Sequence, residues 1–491
     1  MGRGTQFVVP LSREIGEKKM AQRNASVMSA AFRAGAVVVA MVLMSVASYG
    51  QDLVVDCSGQ NKNAYPTINA ALLNMPFVPY QVVMQVTGTC HESVYLGHIR
   101  NLMITAPFGQ RASIVGDGIA YATLNVDSST GIYLYGLIVT GGGSEGLSAG
   151  PGSEVRIDSC SFNDNPGDGL GVGDNSTVTI YSATMTGNNR GLSITSNGIV
   201  DHASWANGSV MISGNGNAGL WMSGGRYSTG GNTILKNNGF TATGGYDGYG
   251  AEVHGAGQIQ MGNYAGPNLI TGNRRGGVYV DENGEVSFWG STNTVTNNGP
   301  VGIQQRYGSQ LTLFGNVEIS GHTGVGLDVG SRSQAYLDST FGSNLIHNNG
   351  NGTTPVRAGI RVDGNSQLTL IGPNQIMQNG GPGVLGDINS SMDISGATIS
   401  GNQAEAIRVL HQSVLDLGPG MVISGNGGGS VTCDSTSLLV TTNTLQTNCA
   451  IGQAFESAPA EFAQSAPVIP DLSAKRKEYE RFRALIPRAK K

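Results

Sequence analysis

Between residues 221 and 363 the sequence carries side chains able to perform acid–base chemistry on a sugar. If the chain cleaves glycosides, Glu252 and Asp281 can supply the two carboxylic acids that the reaction requires, one as proton donor and one as base or nucleophile. His254 can move protons near neutral pH, and Arg306 can hold a carboxylate ionised or neutralise developing charge. Trp221 and Tyr279 offer apolar platforms for sugar rings. Gln304, Asp328, Arg361 and Asp363 offer polar groups for hydroxyls. These residues can cooperate only if the chain brings positions some 25 residues apart onto one face.

A repeated phrase supplies that face: an apolar residue, two variable residues, then Asn. It ends at Asn165, Asn188, Asn215, Asn237, Asn273, Asn298, His322, Asn349, Asn379, Asn402 and Asn426, at intervals averaging about 26 residues. A second phrase follows in step, a Gly and then alternating apolar and variable positions, as in GLSI (191–194), GLWM (219–222) and GVYV (277–280). Alternation with period two marks strands with one buried face. Several short strands per repeat, separated by Gly and Asn, describe one coil of a solenoid, and so frequent a Gly excludes helical repeats. Stacked about 4.8 Å apart in parallel, such coils place each Asn over the last, where its amide can satisfy backbone groups inside the bend. Eleven anchored coils and about two degenerate ones before Asn165 predict 12–13 coils.

In this register the variable positions of the Gly-led strands point outward. Trp221, Glu252, Tyr279, Gln304, Asp328 and Arg361 then share the face with His254, Asp281, Arg306 and Asp363. Glu252 and Asp281, on adjacent coils, are expected about 5–8 Å apart, within the range of retaining and inverting pairs. The Asn-to-Gly step lengthens at 237–250 and 349–359, four coils apart, and these two turns are expected to wall a groove of about 19 Å.

The whole pattern resembles the pectate-lyase-like right-handed parallel β-helix superfamily over residues 51–452. YPTINAALLNMP (65–76) resembles the short capping helix that opens many members, and GTCHESVYL (88–96) resembles the GTYxE start of their first coil. The resemblance implies an all-β solenoid and a carbohydrate-related activity, as a polysaccharide lyase or glycoside hydrolase if the chain is an enzyme. The catalytic motifs of the superfamily mostly fail. Of the polygalacturonase series only NPGDG (165–169) and HG (254–255) stand as fragments, and the paired Asp and RxK are missing. VDH (200–202) lacks a pectate-lyase context, and no DFIFG-like segment of pectin methylesterases is present. NDNPGDG (163–169) and DENGE (281–285) contain oxygens suited to Ca²⁺, and both are also ordinary turns. No Cys/His metal cluster appears, and no other cofactor is implied.

The ends are of different composition. Arg23 and Arg33, the apolar run 34–46 and the small residues after it read as a signal peptide over 1–50, with Met20 as an alternative start. Removal of that segment leaves no membrane span. Residues 453–473 read as a Pro/Ala/Ser linker and 474–491 as a basic tail. With +6 in 475–491 and +4 in 1–50, a chain of net −5 leaves −15 for 51–474. So acidic a body lacks the footprint for nucleic acid, and it repels a polyanionic glycan unless a divalent cation bridges them. In an exported chain Cys57 with Cys90 and Cys433 with Cys449 would staple the two ends and leave Cys160 unpaired, although spacing alone leaves other pairings open. The expectation is an exported, monomeric β-helix that binds, and in one version cleaves, a polysaccharide or cell-envelope glycan on its central coils. The alternatives are a non-catalytic structural or adhesive rod, and an assembly module docking through its acidic face or basic tail.

Overall fold

A computed structural model describes residues 52–452 apart from 77–79, 204–207, 242–246, 263–265, 340–341 and 442–446. The signal segment, linker and basic tail lie outside the described residues. Within them the chain is a solenoid of parallel strands. One sheet of 14 strands contains the Gly-led strands, one per coil, and a 29-stranded sheet contains the other strands of the coils. The larger sheet is continuous because Glu285–Thr296 and Gln310–Ser320 run through the corner between two strands of a coil. Pairing is parallel from the first coil to the last, as in Asp52–Asp56 on Val82–Thr87 and Ile407–Val409 on Val431–Cys433. The 14 coils exceed the expected 12–13 because three Gly-sheet strands precede Asn165 (Val94–Gly97, Ala122–Asp127 and Glu145–Ala149), and these lack the Asn phrase.

The Asn residues form a ladder inside the bend. Where the next rung is an Asn, the backbone N–H donates to its side-chain oxygen one coil on, as from Asn188 to Asn215 (3.1 Å) and from Asn215 to Asn238 (3.2 Å). The side-chain amides donate backward to main-chain carbonyls, as from Asn188 to Phe162 (2.9 Å). Buried backbone groups that water cannot reach are thereby paired. The fourth rung is Asn238 rather than Asn237. The stretch ILKNN fits the phrase in two registers, and only Leu235 points into the core, while Asn237 takes a left-handed turn conformation (φ 53°). His322 fills one rung; burial holds its imidazole down to about 4, so it is neutral, and Nε2 lies 3.1 Å from the Val295 carbonyl.

The ladder also explains why the Gly phrase keeps step with it. A Cβ on Gly169 would stand 2.7 Å from the Asn188 amide nitrogen, and one on Gly191 would stand 2.1 Å from Ile212 Cγ2 and 2.9 Å from Asn215. Asn at one bend therefore demands Gly where the preceding coil leaves it. Stacked serines, Ser309–Ser333 and Ser390–Ser413, make a second ladder at another bend.

The apolar alternates, among them Leu192, Leu220, Val253, Val280 and Ile303, fill one continuous core along the axis. The first coil is capped by the helix Ile68–Leu73. Thr67 accepts from Ala70, and the carboxylate of Glu92 accepts the N–H groups of Ile68 (2.6 Å) and Asn69 (3.0 Å) at its start. Disulfides join Cys57 to Cys90 and Cys433 to Cys449, one at each end of the solenoid, and Cys160 is buried and free.

Candidate functional site

The strand Tyr249–His254 sends Ala251 and Val253 into the core and Glu252 and His254 outward. Parallel register aligns Trp221, Glu252, Tyr279, Gln304, Asp328 and Arg361 in one column. Ser223 and His254 belong to the neighbouring column, in which Asp281 lies beside His254. His254 Nδ1 is 2.7 Å from Asp281 Oδ1, and Nε2 is 3.9 Å from Glu252 Oε2. The second distance is an ion-pair contact rather than a hydrogen bond, so the Nε2–H proton is loosely held. Glu252 is fixed from behind by the N–H groups of Gly248 (3.1 Å) and Tyr249 (3.3 Å), which end the long 237–250 turn.

Burial works against a charged imidazole here, but Asp281, through its hydrogen bond and its charge, and Glu252, through attraction, outweigh it and push His254 up to about 9. Burial raises Glu252 above the usual carboxylate range, with His254 and the Tyr249 N–H pulling the other way. At neutral pH the centre is an imidazolium between two largely buried acids, its ring edge the part that meets solvent. Trp221, half-buried, stands over it with ring centroids 6.0 Å apart. The paired carboxylates of the sequence reading are thus not two groups facing across a cleft, because the His254 ring occupies the space between them. Tyr279 is corrected as well. It points away from the core but is 0% exposed, covered by Tyr249 (5.3 Å) and His254 (5.7 Å), and presents no platform to a sugar.

Further along the stack the polar residues engage one another. Arg306 binds Asp328 (2.5 Å) rather than Glu252 or Asp281, Arg361 reaches Asp328 (3.8 Å) and pairs with Asp363, and Gln304 bonds the Tyr249 hydroxyl and Asp328 (3.4 Å). The 349–359 turn lies down on the preceding coil, Gly352 N–H and the Thr354 hydroxyl both donating to the Thr323 carbonyl (2.9 and 3.1 Å), and so it does not stand up as the expected wall. The middle of the 237–250 turn lies outside the described residues.

Residues 218–386, which contain this whole centre, match the family described as "Right handed beta helix region". The chain is a right-handed parallel β-helix. Among solved structures it is similar to DFA-IIIase from Arthrobacter chlorophenolicus A6, determined in complex with GF2, at 12% identity and a TM-score of 0.30, with 79% of this chain and 93% of that chain covered. No curated protein sequence matches it.

Sequence reasoning missed a third outward column of this β-helix, the residue just before each strand Gly. It holds Glu145, Asp168, Arg190 and Tyr249. The signal was present, since these positions precede the very Gly used to find each strand, but the strands were read as starting at that Gly. Arg190 grips Asp168 with both ends of its fork (2.7 and 3.1 Å) and lies 4.4 Å from the centre of the Trp221 ring. A cavity of about 340 Å³ opens on the other sheet, over Glu154, Arg156 and Tyr181, and its two charges are spent on each other (2.6 Å). Among the described residues, Cys57, Cys90 and Glu92 are the group of metal-ligand types drawn together, and both cysteines there are disulfide-bonded. No helix among the described residues is long and apolar enough to cross a membrane.

Proposed function

We propose that this chain is an exported protein that binds a polysaccharide or cell-envelope glycan on the outward face of its Gly-led sheet. Trp221 is the ring platform and His254 the donor to a sugar oxygen. One observation carries the reading: a charged imidazole, 21% exposed at its ring edge, whose Nε2–H is loosely held beside a half-buried Trp, with all other groups around it fixed. A ring stacked on Trp221 meets that N–H, which can donate a hydrogen bond to a sugar oxygen while Asp281 and Glu252 keep the imidazole protonated. Export agrees with the apolar run 34–46 and with the two stapled ends.

A glycan array followed by analysis of products tests this. The wild type is expected to bind, and Trp221→Ala and His254→Ala to lose binding; undiminished binding by both variants refutes the assignment. The non-catalytic rod is favoured by a separate observation, that Arg306, Asp328, Arg361 and Asp363 are consumed in mutual pairs. It predicts silence across the array.

A further inference from the structure

Toward the N-terminus from Trp221 the same face changes character. Its outward positions become Ser148, Gly171 and Ser193 in one column and Gly150, Gly173 and Thr195 in the next, a low floor between larger side chains. Tyr121, 61% exposed, stands at one end and Trp221 at the other. Between them Glu145, 7% exposed, accepts the Tyr121 hydroxyl on Oε1 (2.8 Å) and is influenced by the nearby Ser148 hydroxyl, while its buried Oε2 has no partner in hydrogen-bonding geometry. That oxygen is aimed at the vacant side-chain position of Gly171, where a Cβ would come within 2.5 Å of it. A buried acceptor or acid proton left unpaired is costly, and it is retained where something else completes it.

We infer that Tyr121, Glu145 and Trp221 form a second subsite, which takes the hydroxyls of an uncharged sugar and continues the glycan path toward the N-terminus. This rests on the function proposed above and extends it. Glu145 and Trp221 are three coils apart, about 14 Å along the stack, so one extended chain can touch both. The ligand is uncharged because two carboxylates line the subsite and its one cation, Arg190, is held by Asp168. The cations of the other outward columns, His254, Arg306, Arg361 and Arg408, are likewise in ion pairs. A sugar carboxylate entering there would face acids with no free countercharge among the described residues lining it, whereas hydroxyls can pair with Tyr121 and Glu145.

Affinity electrophoresis of the full chain through gels holding unsubstituted glucan, xylan or mannan, and the carboxymethylated form of each, tests this. At least one unsubstituted polymer is expected to retard the protein, with its carboxymethylated form about tenfold weaker. Tyr121→Ala and Glu145→Gln are each expected to weaken that binding about tenfold, with Glu145→Ala as a second variant and unchanged melting temperature as the check of folding. If both positions bind as wild type while Trp221→Ala fails, the subsite is overturned and the face survives. Stronger retention by carboxymethylated polymer overturns the ligand class. Retention of the wild type by no polymer removes the proposed function along with the subsite.

Discussion

Replacing Asn379 by Ala removes one rung from the middle of the ladder. Its Oδ1 accepts from the backbone N–H and the side-chain amide of Asn349 (3.1 Å each), and its Nδ2 donates to the Ile346 carbonyl (3.2 Å) and to Asn402 Oδ1 (2.9 Å). Ala leaves the Asn349 N–H without an acceptor and strips a donor from the Ile346 carbonyl, both in the interior. At about 1–3 kcal/mol for each buried group so exposed, the cost is roughly 2–6 kcal/mol. The exposed Gln367, stacked on the outside of the same region between Gln334 and Ser391, serves as the control, with Gln367→Ala expected within about 0.5 kcal/mol of wild type. Urea unfolding followed by circular dichroism reads both, as a fall in midpoint for Asn379→Ala alone. A cost below about 1 kcal/mol at Asn379 would refute the view that these amides hold the coils in register.

Other outcomes follow from the same geometry. His254 sits above its ordinary 6.5, so its contribution to stability is complete below pH 6.5 and is lost as pH climbs through about 9. Allowing for solvent at the ring edge, the loss across that window is roughly 2 kcal/mol. NMR titration of the ring should show the high value, and Asp281→Asn should bring it down; an unchanged value in that variant would refute the pairing. Gly191→Ala should destabilise by about 2 kcal/mol or more, because its Cβ meets Ile212 and the Gly219 carbonyl (2.8 Å), as read by thermal melting against Gly150→Ala, where the nearest atom to a Cβ is the Val126 carbonyl oxygen at 3.5 Å. Cys433→Ser with Cys449→Ser opens a staple of sequence separation 16 and should cost about 3 kcal/mol, seen as earlier proteolysis at the C-terminal end of the solenoid.

The solenoid was legible because stacking makes the same demand at every coil. The Asn amide must pair within the bend, the Gly must clear that Asn, and the alternation must feed one core, so three signals repeat in phase. Besides the undercounted coils before Asn165, the slip of Asn237 for Asn238 came where two adjacent asparagines left the phrase ambiguous and only the inward side chain of Leu235 decides. The site was legible in part. Alternation correctly sent Glu252, His254 and Tyr279 away from the core, but direction is not exposure, and Tyr249 from the unread column covers Tyr279. Nor does spacing reveal that an imidazole will insert between two carboxylates. That depends on His254 and Asp281 sharing a register position at the end of their strands. Asp168 and Arg190 were passed over for the same reason as Tyr249, since a strand assumed to open at its Gly hides the residue before it.

The claim that sugar meets this protein at Trp221 is most directly tested by fluorescence. The chain has three tryptophans, and Trp205→Phe with Trp289→Phe leaves Trp221 as the single reporter. Titration with soluble unsubstituted polysaccharide should shift its emission saturably and at the same concentrations at which the polymer is bound. Polymer that binds while the Trp221 emission stays unchanged would contradict the account.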